Sequence, residues 1–268
     1  FLYNCNILII NQIKMKKLLF LLLIPFSISA QVVSADFVVI NEGMDSSYHD
    51  LEKIWSVYHM ESIKKGEKVA WSVWKRTPRE GDNEKAADYV IFNQFSSKDQ
   101  HDKMMNSFDM KKATSIMKNG LKGKMSSSKI NKTLNKNIKK EVRNYTLQLV
   151  DAFPLMGGDI KVGDKMNFAT MIQKDENYEE YESKVWKPVF QNEALRGNFK
   201  WWALTRIVDR NDKAYKPPTH LVWNIGVENP QDFLPVNDFV DQEMMDLRDS
   251  YREMGNTQEL TLVYTSNN

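Results

Sequence analysis

Trp71-Ser72-Val73-Trp74-Lys75 and Val90-Ile91-Phe92-Asn93 recur 131 residues later as Trp202-Ala203-Leu204-Thr205-Arg206 and Leu221-Val222-Trp223-Asn224. At the same offset Trp55 falls on Trp186, Gly66 on Gly197, Arg79 on Arg210 and Lys85 on Lys216. No gap is needed across the 39 positions from Trp55 to Asn93. Six of these positions are identical, and two of the six are tryptophans, which are rare. A fixed offset that keeps rare residues and the order of apolar patterns reads as an internal duplication.

Working outward, each half reads strand, helix, strand, strand, helix, strand. In the first half the β-branched run Phe37 to Asn41 suits a strand. Ser47 with Asp50 offers a capping-box-like helix start, and Leu51, Ile54, Trp55 and Tyr58 give a helical stripe. Gly66 after Lys64-Lys65 ends that helix. Strands follow over Val69 to Arg76 and Asp88 to Phe95, then a long polar helical region, then a strand over Tyr145 to Phe153. The second half repeats the order with strands at Asn167 to Ile172, Lys200 to Val208, Thr219 to Gly226 and Leu260 to Thr265. Its helices fall over Asn177 to Leu195 and within Pro230 to Met254. The turn-rich stretch Leu155 to Gly163 links the halves. The expected organisation is a first repeat over 36–154, a linker over 155–163 and a second repeat over 164–266.

The order βαββαβ is the ferredoxin-like split-βαβ unit. A tandem pair of such units resembles the dimeric α/β-barrel superfamily, over about 36–266. The resemblance rests on element order and the repeat. It implies an α+β fold in which two tandem ferredoxin-like units form a pseudo-dimeric α/β barrel within one chain. The superfamily holds cofactor-free monooxygenases, small isomerases, haem enzymes and binding proteins, so fold does not choose a function.

Side chains alternate across a strand, so parity proposes a cavity face. Val90 and Phe92, with Leu221, Trp223 and Ile225, form apolar rows suited to packing beneath the helices. Tyr89 and Asn93, with His220 and Asn224, form mixed rows suited to the space between sheets. The second strands carry Trp71, Val73 and Lys75, and Trp202, Leu204 and Arg206, in rows whose side only the strand register fixes. The expected ligand-binding set is therefore Tyr89, Asn93, Asn224, Trp71, Trp202, Lys75 and Arg206, with His220 as the candidate catalytic base. Buried amides need partners, and a ligand is one way to supply them. Core packing of the tryptophans and a satisfied, structural His220 are the competing readings.

Other chemistry is sparse. The four histidines, His49, His59, His101 and His220, lack metal-ligand spacing, so no metal site and no cofactor are expected. His59 reads as a helix-flank residue, although haem ligation by one histidine stays open. There is no G-x-S-x-G elbow and no G-x-G-x-x-G. Gly158 to Gly163 with Asp164-Lys165 lacks the hydroxyl residue of a phosphate loop, since Met166 stands there. Glu179, Glu180 and Glu182 read as a solvated helix face.

Residues 15–30 open on Met15-Lys16-Lys17, continue through an apolar Leu18 to Phe26 and end on Ser27-Ile28-Ser29-Ala30. That is the pattern of a secretory signal peptide, and the apolar part is too short for a bilayer span. Residues 1–14 read as upstream read-through. Signal and Lys/Asn-rich composition resemble those of bacterial secreted proteins, which implies a periplasmic or extracellular address. The 268 residues allow one or two domains, and 42% apolar content supplies a core. The single cysteine, Cys5, excludes a disulfide framework and thiol catalysis after Ala30. A formal charge of +2 argues against nucleic-acid binding. It conceals eleven Lys/Arg against Glu141 alone over 111–143, and nine Asp/Glu against Arg248 and Arg252 over 228–259.

The sequence therefore leads to a secreted protein binding a small organic ligand in an aromatic inter-sheet cavity. Two alternatives stand beside it. One is a cofactor-independent monooxygenase or isomerase on the same scaffold. The other is a protein-interaction module using its charged second helices. No nucleic-acid partner and no membrane span after signal cleavage are expected.

Overall fold

The structure, a computed structural model, describes residues 31–84, 86–226 and 238–266. Residues 1–14, the signal-like 15–30 and the matched Lys85 lie outside these. The first half runs β1 (Val32–Ile40), α1 (Asp45–Lys64), β2 (Ala70–Arg76), β3 (Tyr89–Phe95), α2 (Lys98–Ser107), α3 (Met110–Gly120), α4 (Ser127–Leu134) and β4 (Lys139–Ala152). The second runs β5 (Lys165–Gln173), α5, β6 (Trp201–Arg210), β7 (His220–Ile225), α6 (Asp238–Tyr251), β8 (Arg252–Met254) and β9 (Gln258–Thr265). Helix α5 has three joined pieces: Tyr178–Tyr181, a π-helical Glu182–Trp186 and Lys187–Leu195.

Eight strands follow the order β7-β6-β4-β1-β3-β2-β9-β5, and β5 also pairs with β7, so the sheet closes on itself. Every pairing is antiparallel, and β8 is a short addition on β5. Closure leaves none of these eight strands with an open edge. Within each half the spatial order is fourth, first, third, second strand: β4-β1-β3-β2 and β9-β5-β7-β6. The halves meet at two seams, β2 with β9 and β4 with β6. Register repeats as well. Trp71 stands opposite Asn93 and Trp202 opposite Asn224; Lys75 stands opposite Tyr89 and Arg206 opposite His220.

Helices α1 and α5 cover equivalent faces, with one difference. The buried pairs Tyr48/Tyr178 and Glu52/Glu182 are 130 residues apart, whereas Trp55/Trp186 and Gly66/Gly197 are 131 apart. The π-helical turn at Glu182–Trp186 takes up the extra residue without turning the helix's apolar face away from the sheet. Gly66 and Gly197 stop the two helices in the left-handed region, at φ +72° and +85°.

Several elements differ from expectation. Strand β1 begins at Val32, because it pairs with β3 and β4 over its whole length; the polar Ser34 and Asp36 hide it from a β-branched reading. Helix α1 begins at Asp45 with no side-chain cap, so Ser47 lies inside it. The polar region after β3 is three helices. Ser97, Asp109 and Ser126 each cap one by accepting a backbone N–H. In the second half the helix lies over Asp238–Tyr251, and the earlier part of its expected range, 230–237, falls outside the described residues.

The core has an inner and an outer layer. The inner cluster draws on strands of both halves, including Trp74, Phe92, Leu147, Met166, Phe168 and Trp223. On the outside, α1 packs Tyr48 and Leu51 against Trp71, Val73, Tyr89 and Ile91. Likewise α5 packs Tyr178, Trp186 and Phe190 against Trp202, Leu204 and Val222.

Candidate functional site

The barrel interior is not filled. A cavity of about 330 Å³ opens at one end, walled by Trp74, Phe92, Leu147, Met166, Trp201 and Trp223. Gln31, Gln94, Leu155, Ile160 and Thr265 stand around it toward the linker side. At its floor, Phe92 meets the Trp223 ring edge-on at 5.1 Å, and Phe168 lies against Trp223 at 5.2 Å. Phe37, which does not line this cavity, packs edge-on with both Tyr145 and Phe168. The Trp74 indole N–H donates to Ser72 Oγ and that of Trp223 to Thr205 Oγ1, both at 2.9 Å. Those indoles are therefore satisfied, and what they offer a ligand is π surface. Among the described lining residues none is titratable. Such a wall stacks and desolvates an apolar molecule, but supplies no acid or base.

This reverses the expected parity. Val90, Phe92, Leu221, Trp223 and Ile225 face the barrel interior, whereas Tyr89, Asn93, His220 and Asn224 face the helices. Lys75, Arg206 and Trp202 share the helix side. The Trp71 residue borders the cavity, but its ring stacks on His59 at 4.9 Å in the outer layer. The physical reason is that both faces of a covered barrel are buried, so apolarity alone does not say which is inner. Polar residues go to the helix side, where the covering segments bring partners. The closed interior brings almost none.

The helix-side residues fall into two matched groups. In the second half His220, 1% exposed, sits with Nε2 2.8 Å from Glu179 Oε1 and Nδ1 2.8 Å from Thr219 Oγ1. Arg206 pairs with the same Glu179. Burial lowers the His220 pKa, and the hydrogen bond to Glu179 opposes it. Burial alone would raise Glu179; Arg206 and His220 hold it below its ordinary range. Glu182 is buried against Arg252. Of the three glutamates expected to be solvated, only Glu180 is exposed. In the first half Tyr89 donates its hydroxyl to Asp45 Oδ1 at 2.6 Å, and Lys75 pairs with Asp45 at 2.8 Å. His220 is thus the base of no cavity step; its partners are Glu179 and Thr219.

The two asparagines differ. Among the described residues Asn224 Oδ1 has no hydrogen-bond partner, and it borders a void of about 60 Å³ shared with Glu182 and Arg252. Asn93 Oδ1 accepts from Lys68 Nζ at 2.5 Å, and Lys68 also lies 2.8 Å from His59 Nδ1. This group lines a separate cleft of about 230 Å³ beneath α1 and α2. Sequence reasoning passed over Lys68, and His59 is no idle flank residue. Trp74, Trp201 and Trp223 were missed as cavity walls although their rows were visible.

The basic segment's ion pairs stay within the first half: Lys129 with Asp50, Lys139 with Glu52 and Lys140 with Glu84. Among the described residues none of its ion pairs reaches the acidic α6. No described helix is long and apolar enough to cross a membrane, and no described group of three or more His, Cys, Asp or Glu converges on a metal position.

A closed eight-stranded antiparallel barrel carried by outer helices is a dimeric α/β-barrel fold. Solved structures share this fold. A "putative monooxygenase" from Lactobacillus acidophilus NCFM superposes with TM-score 0.53 at 13% identity, covering 88% of this chain and 95% of that one. A "putative monooxygenase" from Fusobacterium nucleatum gives 0.52 at 9% identity, covering 88% and 94%. No protein-family model and no curated protein matches the sequence.

Proposed function

We propose that this protein binds a small, uncharged aromatic molecule inside the barrel and releases it unchanged. The observation that carries the reading is the open cavity of about 330 Å³ with three tryptophans and Phe92 on its walls and, among the described residues, no titratable group in its lining. Burying a planar apolar molecule there gains roughly 25 cal/mol per Å² of area removed from water. The repeated strand order and the repeated Trp–Asn register support tandem duplication of a ferredoxin-like unit into a pseudo-dimer. The signal-like residues 15–30 support secretion, so the ligand is one met outside the cytoplasm.

Calorimetric titration with 1-naphthol tests the reading. Wild type binds one equivalent, and Leu149→Trp, which fills the cavity, loses binding while keeping a folded circular dichroism spectrum. Equal binding by the filled variant refutes it. The monooxygenase alternative draws support from the two "putative monooxygenase" neighbours, which share fold alone. It requires a substrate reactive enough to need no wall base, and oxygen uptake with 1-naphthol is its test.

A further inference from the structure

The cleft under α1 and α2 is lined by Trp55, Tyr58, Phe108 and Met104 above, and by Lys68, Asn93 and the carboxylate of Asp36 below. Lys68 is 3% exposed, and among the described residues it forms no ion pair with a carboxylate. Its two contacts are with Asn93 Oδ1 and the ring nitrogen His59 Nδ1. An ammonium has three protons to donate, whereas a neutral amine has two and keeps a lone pair. With His59 Nδ1 unprotonated, the two contacts match the two protons of a neutral amine, and among the described residues no acceptor stands within hydrogen-bond distance for a third.

The other half shows that the fold does not need this group. At the repeat offset of 131, His59 corresponds to Phe190 and Lys68 to Phe199. Those two rings stack on each other at 5.2 Å, and Phe190 lies 6.3 Å from Trp202 as His59 lies 4.9 Å from Trp71. The same place in the barrel is thus filled by phenylalanines in one half, and by a lysine–histidine pair beside a cleft in the other. Helix α2, which roofs the cleft, buries none of its residues.

We infer that Lys68 is a nucleophilic amine that captures small aromatic aldehydes in this cleft as an imine, separately from the barrel cavity. The lone pair of Nζ attacks the carbonyl carbon, a C–N bond forms and the C=O π pair moves onto oxygen. Two protons leave the nitrogen with that oxygen as one water while C=N forms. No oxidant or reductant is consumed. The aromatic roof takes the aldehyde's ring, and Asn93 and His59 hold the amine nitrogen before it attacks. Burial lowers the Lys68 pKa to about 7, against the opposing pull of Asp36 and Glu67. His59 is held well below its ordinary range by burial and then by Lys68, so the ring stays neutral, and in the tautomer protonated on Nε2 its Nδ1 accepts from Lys68.

The test is reductive trapping with benzaldehyde and cyanoborohydride near pH 7.5, read by peptide mapping in a mass spectrometer. At that pH roughly one in a thousand ordinary lysines is neutral. The expected result is adduct on Lys68 at least about tenfold faster than on exposed lysines, and none at that position in Lys68→Met. The double variant His59→Phe/Lys68→Phe copies the other half. It is expected to stay folded, lose the fast adduct and bind 1-naphthol as wild type does. Labelling of Lys68 no faster than that of exposed lysines in folded wild type overturns the inference. So does a fast adduct that survives in the double variant.

Discussion

At the residue scale, Lys68 sits two positions beyond the helix-ending Gly66, in a place where sequence carries no sign of burial. A lysine after a helix stop reads as solvent-facing; only the packing of α1 and α2 over β3 encloses it. Its titration has a thermodynamic consequence. The folded pKa is about 7, against an ordinary 10.5. Between those values the unfolded chain holds a proton that the folded chain has released, so stability rises with pH across that window. Below about pH 7 both states are protonated and this contribution is flat. Asp36, Glu67 and His59 face the amine and are part of the same balance. Urea midpoints measured from pH 7 to 10 are therefore expected to climb more steeply in wild type than in Lys68→Met. A second residue, His220, was legible as a special position but was assigned to the wrong face. Its replacement by alanine removes a hydrogen bond to Glu179 and costs about 1–3 kcal/mol in chemical denaturation. Because it lies outside the barrel, 1-naphthol affinity is expected to stay unchanged in that variant.

At the element scale, helix stops and most strands could be read from the chain, because glycine geometry and β-rich runs are local properties. The two tryptophans and two asparagines of the repeat also fell on matching registers, Trp71 with Asn93 and Trp202 with Asn224. What escaped was set by tertiary contact. Strand β1 extends back through Ser34 and Asp36 because β3 and β4 flank it, and Asn144 Nδ2 donates to both side chains at 2.9 and 2.7 Å. The π-helical turn of α5 escaped for a similar reason: it reconciles helix length with a sheet already in register. The glycine stops give an element-scale prediction. A Cβ at Gly66 or Gly197 meets nothing within 4 Å, so the cost of Ala there is backbone strain alone. Each single variant is expected to lose about 1 kcal/mol in a thermal or urea melt, without loss of 1-naphthol binding.

At the scale of the whole molecule, two halves are tied by the β2–β9 and β4–β6 seams. The β4–β6 seam runs from Tyr145 opposite Arg210 to Ala152 opposite Ala203. A chain cut within 155–163 is expected to keep both pieces together on gel filtration, because the seams rather than the linker hold them. The barrel fold was legible in the order of elements, but the face that encloses the cavity was not. Parity shows that two rows exist, while only closure of the sheet shows which row points inward. That choice decides which ligand is proposed, since it replaces a polar lining around Asn93 and Asn224 with one of Trp74, Trp201, Trp223 and Phe92. The most direct measurement is a crystal soaked with 1-bromo-2-naphthol, with the bromine located by anomalous scattering. The account predicts a single strong peak inside the barrel between Trp74 and Trp223, absent in Leu149→Trp. Bromine on the helix side beside Asn224 and His220, with the barrel interior empty, would contradict it.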